Sequence, residues 1–235
     1  MPQLTMLVAT RNAHKVQEIQ AILGDTVRYL SLRDFPEAPA AAEDEPTFAG
    51  NAAKKARELA RWLQGRPGME FRIPGVNAYV LADDSGLEVD ALQGAPGVHS
   101  ARFALLDKSG RPPAGSGNAP DAENNARLLQ LLQDVPQERR TARFRCVLSL
   151  VRVKPPQPAL AGQLFEGVCE GRIDQSARGT GGFGYDPLFI PAGHARSFAQ
   201  LGAEEKNRIS HRAQALARLR QWLTSIGQLP PSHHE

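Results

Sequence analysis

Short apolar runs alternate with amphipathic stretches along this chain, and the alternation predicts its elements. Leu4 to Ala9 reads as a buried strand, Thr10-Arg11-Asn12 as a turn, and Val16, Ile19, Ile22 and Leu23 as one face of a helix that Gly24 stops. Thr26 to Leu32 is a weaker strand. Pro36 to Pro46, rich in Ala, Pro and acid, is a loop. Thr47 is the N-cap of a helix to Leu63, with Phe48, Ala52, Ala56, Leu59 and Leu63 on its buried stripe and Gly65 as its C-terminal stop. Residues 65–77 read as a loop or hairpin. Tyr79 to Ala82 is a strand that runs straight into Asp83-Asp84-Ser85-Gly86.

The second half continues the pattern. Residues 108–120 form a surface loop by composition, and Asp121 to Leu132 a helix with a leucine-rich face. Thr141 to Val153 alternates with period two through Ala142, Phe144, Cys146 and Leu148, and Gln163 to Ile173 is its returning strand. Gly179 to Gly182 is a glycine-rich loop, Phe189-Ile190 ends at Pro191, and a last helix runs from about Ser210 to Ile226. Strands alternating with helices place the chain in the α/β class.

Composition narrows the function classes. Of 235 residues, 41% are hydrophobic and 23% charged, which suits a globular protein rather than a disordered one. The net charge is only +3, so a nucleic-acid partner is not indicated. Arg139, Arg140, Arg143 and Arg145 form either a basic patch or a solvated strand edge, and the second reading is preferred. Cys146 and Cys169 lack metal-ligand spacing and read as free thiols. The first residues do not resemble a signal peptide and no apolar run reaches membrane-spanning length, so the expectation is a cytoplasmic protein without a membrane partner.

Five clusters carry candidate chemistry. Thr10 to Lys15 lies between a strand and a helix, where backbone N–H groups and a lysine attract phosphate. The expected strand end at Asp83-Asp84-Ser85 is where α/β sheets collect ligands, and alternation sends the two aspartates in opposite directions. Glu43, Asp44 and Glu45 could complete a site for Mg²⁺, which prefers hard oxygen ligands. Gly181 to Pro187 offers close backbone approach, with Phe183 and Tyr185 either stacking on a base or packing in the core. His211 and Arg212 fall in a helix's first turn, where cations are unfavourable unless function needs donors there.

The order of six motifs says more than any one of them. They are Thr10-x-Asn12-x-x-Lys15, Thr47-Phe48-x-x-Asn51-Ala52-x-x-Lys55, Ala82-Asp83-Asp84-Ser85-Gly86-Leu87, Gly94-Ala95-Pro96-Gly97-Val98-His99-Ser100-Ala101-Arg102, Gly182-Phe183-Gly184-Tyr185-Asp186-Pro187 and Glu205-Lys206-Asn207-x-x-Ser210-His211-Arg212. Together they closely resemble the non-canonical purine nucleoside triphosphate pyrophosphatase family, also called the inosine triphosphatase family, over nearly the whole chain. The resemblance implies an elongated mixed sheet with flanking helices, in one catalytic domain (1–235) of two lobes around a central cleft. Residues 65–77 and 108–120 would be surface loop insertions. It also implies a homodimer, Mg²⁺ as cofactor, and hydrolysis of ITP, dITP, XTP and dXTP to the monophosphate and pyrophosphate, clearing deaminated purines from the nucleotide pool.

By position, Asp84 resembles the catalytic base and a metal ligand, with Glu43 as the second ligand. Glu45 stands where the family has glycine. Thr10, Arg11, Asn12, Ala13, His14 and Lys15 resemble the phosphate loop, Lys55 a lysine reaching the triphosphate, and Ser85 a substrate contact. Phe183, Gly184, Tyr185, Asp186, Lys206, His211 and Arg212 resemble the nucleoside side. Two other readings stay open: a non-catalytic nucleotide-binding sensor on the same scaffold, and a pyrophosphatase preferring pyrimidine triphosphates.

Overall fold

The computed structural model describes residues 4–73, 77–107, 109–113, 117–154 and 162–231. Its apolar runs form β1 (Leu4–Val8), β2 (Val27–Ser31), β3 (Asn77–Val89), β4 (Thr141–Lys154), β5 (Gly162–Ile173) and β6 (Phe189–Pro191). They make a sheet of order β2-β1-β3-β4-β5-β6. β1 runs parallel to both β2 and β3, and β6 runs antiparallel to β5, so the sheet is mixed. The α-helices among the described residues are α1 (Ala13–Leu23), α2 (Phe48–Gln64), α3 (Met69–Arg72), α4 (Asp121–Leu131), α5 (Phe198–Leu201), α6 (Ala203–Ile209) and α7 (His211–Ser225).

The chain divides into two compact units. The first takes in Met1–Asp84, Val147–Glu166 and Ala213–Glu235, so far as these are described; the second takes in the described parts of Ser85–Cys146 and Gly167–Arg212. In the first unit, α2 lays Ala56, Leu59, Ala60 and Leu63 on Leu7, Ala78, Val80, Ala82, Val151 and Val153. Burial of each large aliphatic side chain there stabilises the fold by roughly 1.5–3 kcal/mol. On α7, Leu216, Leu219 and Leu223 are fully buried. Arg220 donates to the carbonyl of Leu23, satisfying an orphan acceptor at the end of α1. The second unit has its own core, in which Leu87 and Val89 of β3, Leu128 of α4 and Phe144 of β4 pack with Tyr185, Phe189 and Phe198.

Several sequence expectations change. Asp83, Asp84 and Ser85 lie inside β3, not at its end, because Leu87 and Val89 resume the buried pattern beyond them. Residues 65–77 are not a hairpin in their described part: they hold α3, and Met69 and Ile73 are buried in the first unit's core. Residues 74–76 of that segment, and 108 and 114–116 of the 108–120 loop, lie outside the described residues. Gly65 does follow α2, but at φ −80° it is not a left-handed cap; its N–H simply closes on Arg61. The α6 helix was not predicted, since its short polar sequence has too few apolar positions to show a period.

Candidate functional site

In the first unit, the turn after β1 is ordered by its own polar groups. The N–H of Asn12 donates to Thr10 Oγ1 at 3.1 Å, and Asn12 Oδ1 accepts from the N–H groups of His14 and Lys15 at 2.9 and 3.3 Å. Asn12 is thus the N-cap of α1, using two of the four orphan donors at that end. Arg11 faces away from this turn, donating to the carbonyl of Ala38 at 3.0 Å.

Alternation along β3 separates the two aspartates as expected. Asp83 meets the Lys15 ammonium at 2.5 Å. Asp84 shares a face with Ala82 and meets Lys55 of α2 at 2.6 Å. The Glu43 carboxylate meets the same Lys55 nitrogen at 2.5 Å. Glu45, by contrast, is tied through its backbone N–H to Asn51 Oδ1 at 3.0 Å. Asn51 also donates to Asp84 Oδ2 at 3.3 Å. Asn51 was missed as a site residue; its signal was a buried asparagine one helical turn before Lys55.

Burial and close charges set the electrostatics of this cluster. Burial raises the Asp84 carboxyl above the ordinary carboxylate range, and the Lys55 charge only partly offsets it. Burial pulls the Lys55 ammonium down, but the charges of Asp84 and Glu43 and their hydrogen bonds outweigh it, so its pKa rises.

In the second unit, Asp186 organises the glycine-rich loop. Its Oδ2 accepts from the Phe183 N–H at 2.9 Å and from the Lys206 ammonium at 2.6 Å. Gly182 sits at φ +74°, and a Cβ there would lie 2.1 Å from that same oxygen, so only glycine fits. Lys206 is buried with its ammonium 4.5 Å from the Phe183 ring centroid. The buried Arg212 guanidinium lies 5.7 Å from that centroid and reaches Ser85 Oγ at 3.4 Å.

The aromatic rings on the nucleoside side differ in their surroundings. Tyr185 does not present a stacking face: its ring is in the core and its hydroxyl donates to the carbonyl of Ser100 at 2.8 Å. His211 is also buried, stacked on Phe144 with centroids 4.7 Å apart. Phe183 is half-buried rather than in the core. Arg140, just before β4, and Arg143 and Arg145 within it are each partnered inside the chain. Arg140 is buried against backbone carbonyls, while Arg143 and Arg145 pair with Glu88, Asp90 and Glu170.

This arrangement of lysines, aspartates and a glycine loop can be set beside known proteins. The Ham1 family model matches residues 6–222. The chain belongs to the Ham1 family. It is 45% identical to a dITP/XTP pyrophosphatase of Geobacillus kaustophilus, covering 94% of this chain and 96% of that one. It is 47% identical to the dITP/XTP pyrophosphatase of Geobacter sulfurreducens, over 93% and 96%. Among solved structures, the HAM1 protein of Coxiella burnetii superposes with a TM-score of 0.73 at 35% identity, covering 94% of this chain and 99% of that one. That of Staphylococcus aureus gives 0.72 at 30%, with the same coverage. Both agree with a mixed α/β sheet flanked by helices.

Proposed function

We propose that this Ham1 protein hydrolyses deaminated purine nucleoside triphosphates, ITP, dITP, XTP and dXTP, to the monophosphate and pyrophosphate. The observation that carries the proposal is the Lys55 ammonium held by Asp84 and Glu43 in a family member whose relatives are named dITP/XTP pyrophosphatase. In this reading Asp84 positions the attacking water and accepts its proton. Water oxygen bonds to the α-phosphorus as the bond to the pyrophosphate oxygen breaks. Lys15 and Lys55 offset the phosphate charge, since phosphoryl transfer needs mainly positioning and charge stabilisation.

A divalent metal fits this cluster, because two carboxylates already converge within 2.6 Å of one cationic nitrogen. Glu43 and Asp84 would hold Mg²⁺, which supplies Lewis-acid stabilisation when bound. No larger group of His, Cys, Asp and Glu suited to a metal occurs among the described residues. Magnesium usually takes one or two carboxylates and completes its shell from substrate phosphates and water.

Base choice falls to the second unit. The donor-only Arg212 suits the 6-oxo acceptor of hypoxanthine and xanthine and opposes the 6-amino donor of adenine, while Phe183 offers the stacking face. We further propose a cytoplasmic homodimer that acts on free nucleotides, without nucleic-acid or membrane partners. In support of the absence of a nucleic-acid partner, Arg143 and Arg145 of β4 are paired with carboxylates of the chain. A panel of common and deaminated triphosphates, assayed with Mg²⁺ and with chelator, tests the activity. Preferential release of pyrophosphate from ITP and XTP is expected; equal hydrolysis of ATP would overturn it. Light scattering in solution tests the dimer.

A further inference from the structure

Phe183 and Gly184 are held from two sides. On one side, Asp186 accepts the Phe183 N–H at 2.9 Å. On the other side, two side chains of α4 grip Gly184. Asp121 Oδ2 accepts its N–H at 2.6 Å, and Asn125 Nδ2 donates to its carbonyl at 3.0 Å. Asp121 and Asn125 are one helical turn apart, so they share a face of α4 and can hold both polar groups of a single residue. Gly184 sits at φ +63° with open space where a Cβ would be, so nothing in its own side-chain volume fixes its conformation.

The helix doing the holding is itself anchored. Asn124, buried between the two clamping residues, accepts from Ala104 N–H at 2.9 Å and donates to Ala101 O at 3.3 Å. The α4 helix is therefore a fixed support for a loop whose own backbone is permissive.

We infer that Asp121 and Asn125 are positioning residues for base recognition: by clamping Gly184 they set the angle at which the Phe183 ring meets the base. This rests on the proposal that Phe183 and Arg212 read the base. Asp121 is exposed and Asn125 only partly buried, so truncating either removes little packing.

The test is steady-state kinetics with ITP and ATP on Asp121→Ala, Asn125→Ala and Asp121→Asn, beside Arg212→Ala and the wild type. Asp121→Ala and Asn125→Ala should keep the wild-type thermal midpoint within a few degrees, raise KM for ITP more than they lower kcat, and narrow the ITP-over-ATP preference by about tenfold. Asp121→Asn keeps an oxygen acceptor for the Gly184 N–H and should restore most of that preference. If Arg212→Ala narrows the preference while both alanine variants on α4 leave it unchanged, the clamp has no role in recognition and the inference falls alone. If Arg212→Ala also leaves it unchanged, the reading of the base site falls and the inference falls with it. Loss of activity with an unaltered ITP-to-ATP ratio, or no recovery in Asp121→Asn, likewise overturns it.

Discussion

At the scale of single residues, Asp84 carries the sharpest consequence. Asp84→Asn keeps the shape and can still bond Asn51, but it removes the proposed proton acceptor and leaves Glu43 as the carboxylate paired with Lys55. A fall in kcat of about 10²–10⁴-fold with an unchanged circular dichroism spectrum is expected. Full activity with normal Mg²⁺ dependence would remove Asp84 from the mechanism. Cys169 gives a second, independent check. Burial pushes its thiol up to about 11 from the usual 9.0, with Glu170 adding to the effect. The fold favours the neutral thiol, so its stabilising contribution is whole below the usual value and is lost as pH rises toward the folded one. Iodoacetamide labelling followed by peptide mapping should find Cys169 protected at pH near 8 and labelled at once after unfolding; rapid native labelling would contradict its burial. Residue roles were only partly legible in the sequence. The opposed directions of Asp83 and Asp84 follow from strand geometry alone. Whether Phe183 or Tyr185 faces outward does not, because an irregular loop has no period to read, and Ser100, which holds Tyr185, is far away in the chain.

At the scale of elements, the α2 helix joins sequence signal to site. Thr47 Oγ1 accepts the Gly50 N–H at 3.0 Å, so the cap expected from sequence is made, and the first turn it closes leads directly to Asn51 and Lys55. Thr47→Ala should lower stability by about 1 kcal/mol, seen as a thermal midpoint lowered by roughly 2–4 °C. An unchanged midpoint would mean that packing of the buried stripe alone holds that end. The α1 and α2 helices and the strand β4 were legible because each buries one face at its own period. The far half of β3 was not. Two aspartates, a serine and a glycine look like a turn until lysines from α1 and α2 neutralise the carboxylates and let the strand run on.

At the scale of the whole molecule, the sequence's small positive net charge is a poor guide to the charge that a nucleotide meets. In the first unit, Lys15 and Lys55 are matched by Asp83, Asp84 and Glu43, which leaves one more carboxylate than ammonium in that set. Such a set carries no surplus positive charge to draw a triphosphate in from a distance, so in the proposed reaction capture would depend on short-range exchange, with phosphate oxygens and a divalent ion taking the place of each lysine's carboxylate partners. Enzymes that steer anions through a positive funnel slow sharply as salt rises. Here kcat/KM for ITP at saturating Mg²⁺ should stay nearly level between ~0.05 and ~0.5 M monovalent salt, a range over which exposed charges become strongly screened. A steep decline would reveal a long-range attraction that these ion pairs do not provide. If the proposed function holds, the lysines kept occupied by the protein's own acids would act as a selectivity filter in time, admitting a nucleotide that arrives with its metal and giving a bare polyanion little reason to linger.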